Sequence, residues 1–235
     1  MTKIIIVSGW ASPKESLQKL SDACSLFSNV LTISIHDLHS GYATGLMDII
    51  NDAGGNCLLA GWSTGGMAVL EAAVHCQDKI DGMVLISTTS RFSSSADYDI
   101  GTSPSVLRAM ISGIKKDART TLTNFLINTH KPFMEDTALV RKEADASCLI
   151  GNEGLIKGLR YLKDTDLRNL LKNIKIPSLV IHGKEDSIIP WQAGRFLAER
   201  LPNASFKLIE GAGHDLPIRF SGSIAEEVRR FTKMI

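Results

Sequence analysis

One stretch constrains this chain more than any other: Asn56-Cys57-Leu58-Leu59-Ala60-Gly61-Trp62-Ser63-Thr64-Gly65-Gly66. A short apolar run ends in Gly-x-Ser-x-Gly, and a helix-compatible segment, Met67 to Cys76, follows at once. Strand, sharp turn and helix in that order put a serine at the apex. Such a turn forces Ser63 into a strained backbone conformation, and small residues two before and two after it let the chain bend that tightly. The geometry lifts the hydroxyl clear of the sheet and leaves the amide of Thr64 at the positive end of a helix. A nucleophile and half of an anion-binding site thus come from one local fold. Taken alone, Gly-x-Ser-x-Gly also occurs by chance as a glycine-rich turn with a structural serine. The flanking strand and helix favour the reactive reading.

Bulk properties narrow the partners. At 235 residues the chain suffices for one large domain, or for a core carrying an insertion. A net charge of +1 argues against a nucleic-acid footprint and against a general pull toward acidic lipid. The apolar run Ile4–Val7 is too short for a signal peptide's core or a membrane span and reads as a buried strand. Cys24, Cys57, Cys76 and Cys148 form no C-x-x-C pair, so reduced thiols in a cytoplasmic protein are expected, with no disulfide framework. His36, His39, His75, His130 and His182 lack metal-ligand spacing, and no Gly-x-Gly-x-x-Gly follows a strand. Neither a metal nor a cofactor is expected.

Along the chain, Ile4–Val7, Val30–Ile35, Cys57–Trp62 and Gly82–Ser87 read as strands, separated by helix-compatible stretches at Lys14–Phe27, Leu46–Asp52 and Met67–Cys76. Apolar runs too short for helices, alternating with helices, predict a mostly parallel sheet wound on both faces. The rhythm changes at residue 88. No core strand is evident from there to residue 173; a polar loop and helix-like segments at 105–115, 118–128, 137–147 and 156–162 take their place. The expected division is therefore a sheet core of residues 1–87 and 174–235 with a helical cap inserted at 88–173. The sheet resumes at Ser178–Gly183 and Ala204–Ile209, and the chain closes with a helix at Ile224–Met234.

Ser63 needs a base to take its proton and a carboxylate to orient that base. Gly183-Lys184-Glu185-Asp186 offers Asp186 just after one late strand, with Glu185 as an adjacent rival. Gly211-Ala212-Gly213-His214-Asp215 offers His214 after the next, where ligand-facing loops of such a sheet belong. Each has a plain alternative, a turn-capping aspartate and an exposed loop histidine, but the three contexts together are far more specific than any one. Asp215 is a poorer acid, because a side chain next to His214 does not easily reach its far ring nitrogen. The second oxyanion donor should be the amide of Trp10, in the loop after the first strand, joining that of Thr64.

These motifs carry a family likeness. Gly61-Trp62-Ser63-Thr64-Gly65-Gly66, Gly9-Trp10, Gly183-x-x-Asp186-x-x-x-Pro190 and Gly211-Ala212-Gly213-His214, with the order Ser, Asp, His, resemble the α/β-hydrolase superfamily from end to end. Within it the chain resembles the bacterial pimeloyl-[acyl-carrier protein] methyl ester esterases of biotin synthesis. That narrower likeness rests on Gly-Trp-Ser-x-Gly-Gly, on Ser87–Ser94 with Arg91-Phe92-Ser93, and on Gly158-Leu159-x-x-Leu162-Lys163-x-x-Asp166-Leu167-Arg168-x-x-Leu171. Two places depart from the family: Ser8-Gly9 replaces the usual His-Gly, and Asp37-Leu38-His39-Ser40-Gly41-Tyr42 replaces Asp-x-Pro-Gly-x-Gly.

The resemblance implies an α/β-hydrolase fold and a serine carboxylesterase acting on an ester carried by acyl carrier protein. It implies Ser63, His214 and Asp186 as catalytic residues and the amides of Trp10 and Thr64 as the oxyanion hole. Trp10, Phe125 and Arg119 are its substrate-contacting residues, Arg119 as one of the basic cap residues that hold the acidic carrier. Other enzymes of the fold (thioesterase, lyase, cofactor-free haloperoxidase) and a non-catalytic ligand-binding relative remain as alternatives.

Overall fold

The computed structural model describes residues 2–235. In chain order the elements are β1 (Lys3–Val7), α1 (Gln18–Ser25), β2 (Asn29–Ile33), α2 (Tyr42–Asp52), β3 (Cys57–Trp62), α3 (Thr64–Ala73) and β4 (Ile80–Ile86). Three helices follow, α4 (Pro104–Thr129), α5 (Thr137–Cys148) and α6 (Gly151–Asp164). The chain then returns through β5 (Ser178–Gly183), α7 (Trp191–Arg200), β6 (Ala204–Ile209), α8 (Leu216–Arg219) and α9 (Ser221–Phe231).

The strands form one sheet in the order β2-β1-β3-β4-β5-β6, and every neighbouring pair is parallel. The sheet is thus wholly rather than mostly parallel. Burial follows position: every residue of the central strands β3 and β5 is buried, whereas the edge strands β2 and β6 alternate between covered and exposed. Side chains of one pleat face, among them Ile4, Ile6, Leu58 and Val84, pack with α1 and α9 through Leu20, Ile224, Val228 and Phe231. Ile5, Val7, Leu59, Met83 and Leu85 point the other way, into the core built with α2, α3 and α7. Period-two alternation inside apolar runs therefore separates two layers of helices.

The strand order reverses between β1 and β3, because the chain runs outward from β1 to β2 and then crosses back. Such a switch point opens a crevice at the carboxyl ends of the two strands. Gly9-Trp10 and Ser63 emerge there together.

Residues 88–173 contribute isolated bridges (Arg91 to Asp166, Ser93 to Thr102, Ser95 to Tyr98), three α-helices and a short 3-10 helix at Arg168–Asn173, with α4 packed against both α5 and α6. The segments read as 105–115 and 118–128 run on as α4, interrupted at Asp117, where φ is −156° and ψ is 90°. The Asp117 carboxylate accepts the Thr120 amide at 3.0 Å and so restarts the helix. Helices α7 and α8 were not anticipated from the sequence. Among the described residues no helix is long and apolar enough to cross a membrane.

Candidate active site

Ser63 sits between β3 and α3 with φ of 55° and ψ of −121°, a backbone conformation that L-residues rarely adopt. Its neighbours hold it there. The Ser63 amide donates to the carbonyl of Ile86 at 2.9 Å, and the Thr88 hydroxyl donates to the Ser63 carbonyl at 2.6 Å. The turn has no room for side chains: a Cβ on Gly61 would lie 2.5 Å from the Cα of Gly66, and one on Gly66 would lie 2.6 Å from the Thr88 side chain. On the facing loop, a Cβ on Gly9 would come within 3.1 Å of Ser63 Cβ. Gly61 is therefore dictated by close approach of backbone to backbone, and Gly66 and Gly9 by the side chains of Thr88 and Ser63.

Two later loops complete the arrangement. His214 Nε2 is 3.1 Å from Ser63 Oγ, and His214 Nδ1 is 2.8 Å from Asp186 Oδ2. The Trp62 indole donates to the His214 backbone carbonyl at 2.9 Å and so ties down the loop. Asp186 Oδ1 accepts the amides of Ile188 and Ile189, each at 2.9 Å. Oδ2 also lies 3.2 Å from Nε2 of the fully buried His182, which donates to the Ile189 carbonyl, 2.9 Å away. The carbonyl can only accept, so Nε2 of His182 carries the hydrogen. Burial alone would raise the Asp186 carboxyl, but the charge of His214 and the hydrogen bonds of both imidazoles outweigh it and hold the group well below the usual carboxylate range. The rival Glu185 is exposed. Asp215 is buried but turned toward His130 and Arg219, not toward the His214 ring.

No hydrogen-bond partner for the Trp10 or Thr64 amide is found among the described residues, and both lie beside Ser63 at the strand switch. The loop that carries Trp10 is strained at Ala11, where φ is 57°, and is tied on three sides. The Ala11 amide donates to His36 Nε2 at 3.2 Å, Ser147 of α5 donates to the Ala11 carbonyl at 2.6 Å, and the Trp10 indole donates to the Leu155 carbonyl at 2.8 Å. Burial pushes the His36 imidazole down to about 4, which keeps it an acceptor at neutral pH. His36 and His130 offered no signal in sequence, because nothing local to them identifies the distant residue they meet.

A tight cleft at Ser63 and His214 is walled by Trp10, Trp62, Phe125 and Leu126. Trp10 and Phe125 meet edge to face, with centroids 4.8 Å apart, and also border a larger cavity of about 620 Å³. Its lining is mostly apolar, including Phe92, Leu107, Met110, Leu159 and Ile188, with no charged side chain. Phe125 thus stands where cleft and cavity join. Arg119 does not enter either space; it is exposed and paired with Asp145 at 2.7 Å.

A parallel sheet with a serine at a strained strand-to-helix turn, joined by an imidazole and a carboxylate from later loops, defines the α/β-hydrolase class. The chain belongs to the alpha/beta hydrolase fold family, whose family model matches residues 54–219. It is 25% identical over 224 residues to the pimeloyl-[acyl-carrier protein] methyl ester esterase of Vibrio atlanticus (strain LGP32), covering 90% of this chain and 86% of that one. It is 31% identical over 164 residues to the enzyme of the same name from Nitrosomonas europaea, covering 68% and 65%. In fold it is similar to a hydrolase from Oleispira antarctica, with a TM-score of 0.89 at 19% identity over 99% of this chain and 91% of that one. Fold, site and relatives together define a hydrolase of the esterase class.

Proposed function

We propose that the protein is a serine carboxylesterase. The observation that carries this reading is the line Asp186–His214–Ser63, at 2.8 and 3.1 Å, ending on a serine with positive φ. Ser63 Oγ attacks the ester carbonyl carbon as His214 Nε2 takes its proton. The carbonyl oxygen becomes an oxyanion between the amides of Trp10 and Thr64. Such preorganised donors are typically worth about 2.7–4 kcal/mol each in the transition state. Collapse breaks the bond to the alcohol oxygen, which leaves with the proton that His214 took from Ser63. Water, deprotonated by His214, then attacks the acyl-serine; the acid leaves and Ser63 regains its proton. Asp186 fixes the His214 tautomer throughout.

For the substrate, we read the ester as a pimeloyl methyl ester on acyl carrier protein, in keeping with the names of the relatives. The uncharged, apolar cavity beyond Phe125 suits a methylene chain, and residues 88–173 act as the cap that closes over it. Arg119, exposed on α4, is assigned to the carrier and not to the acyl chain. Turnover of p-nitrophenyl butyrate tests the chemistry: Ser63→Ala and His214→Ala should each lower kcat by about 10⁴-fold or more while the far-ultraviolet spectrum stays that of wild type. Wild-type turnover in either variant contradicts the mechanism. Rescue of a biotin auxotroph lacking the esterase tests the substrate; no growth with active wild type removes the pimeloyl assignment alone.

A further inference from the structure

Both neighbours of His214 in the chain are pinned by the turn that ends α4. On one side, Gly213 lies under the Lys131 carbonyl so closely that no Cβ fits there. On the other, the buried Asp215 carboxylate is 2.9 Å from Nδ1 of His130, itself only 5% exposed. His130 Nε2 is 2.6 Å from Glu143 of α5, so the imidazole spans two carboxylates, one from the core and one from the helical segment. Arg219 of α8 adds a second cation on Asp215, at 2.6 Å, and continues to Glu135. Asp215 Oδ1 has no partner among the described residues, so the orientation of this carboxylate depends on His130 and Arg219 through Oδ2 alone. Around the ring stand Asp215 and His214 from the loop after β6, Arg219 from α8, Glu143 from α5, and Lys131 and Glu135 from the turn. Glu185 faces it across a surface groove.

Resting on the hydrolytic reading of Ser63 and His214, we propose that His130 and Asp215 are positioning residues for the base, a clasp by which the helical segment holds the His214 ring in line with Ser63. His214 projects from a loop whose own backbone bonds do not set the ring to within the fraction of an ångström that proton transfer requires. Clamping both flanking residues to α4 supplies that constraint. It also couples catalysis to the seating of residues 88–173: the ring is aligned only when α4 is docked on the core. The two carboxylates overcome the effect of burial and raise the His130 imidazole to about 9, so the clasp is charged at neutral pH and opens as pH rises past that value.

The test uses the full chain and p-nitrophenyl butyrate, with wild type, His130→Gln, Asp215→Asn and the double variant. If wild type fails to turn over, or Ser63→Ala does not abolish turnover, the hydrolytic reading fails first and the clasp is judged on structure alone. In the Asp215→Asn crystal structure the distance from His214 Nε2 to Ser63 Oγ should then open, and an unchanged 3.1 Å overturns the clasp. With turnover present, each single variant should lose on the order of 10- to 100-fold in kcat with KM within about twofold. The double variant should be no worse than the worse single, because both act through one contact. Wild type should lose kcat as pH rises through about 9, and folded His130→Gln should lack that limb. Wild-type kcat in folded single variants, multiplying losses, a rise in KM alone, or a flat wild-type profile across pH 9 would each overturn the proposal. That last measurement requires no variant to fold.

Discussion

Ser63 with φ of 55° is stable only because the residues around it leave no alternative path for the backbone. Gly61, Gly65 and Gly66 let β1, β3 and α3 approach at backbone distance, and Thr88 clamps the Ser63 carbonyl. Gly61→Ala would push a methyl group against the backbone of Gly66. It is expected to cost about 1–3 kcal/mol or more, read as a lowered midpoint of urea unfolding. A midpoint equal to that of wild type would mean that the turn has slack. Two of the residues that matter here were legible as letters, Ser63 between its glycines and His214 after Gly-x-Gly, and the acid was legible as one of a pair after a strand. The choice of Asp186 over Glu185 was not, because the two are adjacent and only the turn decides which one points inward. Arg119 shows the converse. Its place before Phe125 on a helix said nothing about which face it occupies, and the chain turns it outward onto Asp145.

Among the elements, α4 brings Leu107, Met110 and Phe125 to the cavity, and the turn at its end brings His130 to the loop that carries His214 and Asp215. The break at Asp117 falls between the two segments expected from the sequence, 105–115 and 118–128, and kinks the helix there. The clasp at its end has a thermodynamic signature. The His130 imidazole is raised from 6.5 to about 9, so its contribution to stability is complete below pH 6.5 and is lost as pH rises through about 9. The melting temperature of wild type should therefore fall between pH 7 and pH 10 by more than that of His130→Gln. Parallel curves for the two proteins would show that the pair contributes nothing. The sequence missed α7 because its buried face consists of Ala193, Gly194, Leu197 and Ala198, too small and too few to give a helical period. Gly194 is there for a tertiary reason: a Cβ at that position would run into the His182 ring.

For the whole molecule, the site exists only while the sheet does. Trp10, Ser63, Asp186 and His214 follow β1, β3, β5 and β6, and the sheet sets those four strand ends in register. Leu59 is fully buried at the centre of β3, between the two helical layers. Leu59→Ala should cost about 2–5 kcal/mol. Its loss of esterase activity in urea should track its loss of near-ultraviolet dichroism, both at a lower midpoint than in wild type. Activity lost well before the tertiary signal would instead mean that the loops or residues 88–173 come free of an intact core.

By itself, the sequence determined what depends on near neighbours. The alternation of short apolar runs with helices gave the doubly wound sheet, and glycines at fixed offsets gave the strained serine turn, because both are consequences of local sterics and of burial period. Tertiary structure alone decided which distant groups meet. His36 on the Trp10–Ala11 loop and His130 on Asp215 are contacts between residues far apart in the chain, and a side chain's partner across the fold leaves no trace in the letters beside it. Strand order brought those groups together, and packing set the ångströms on which the chemistry depends.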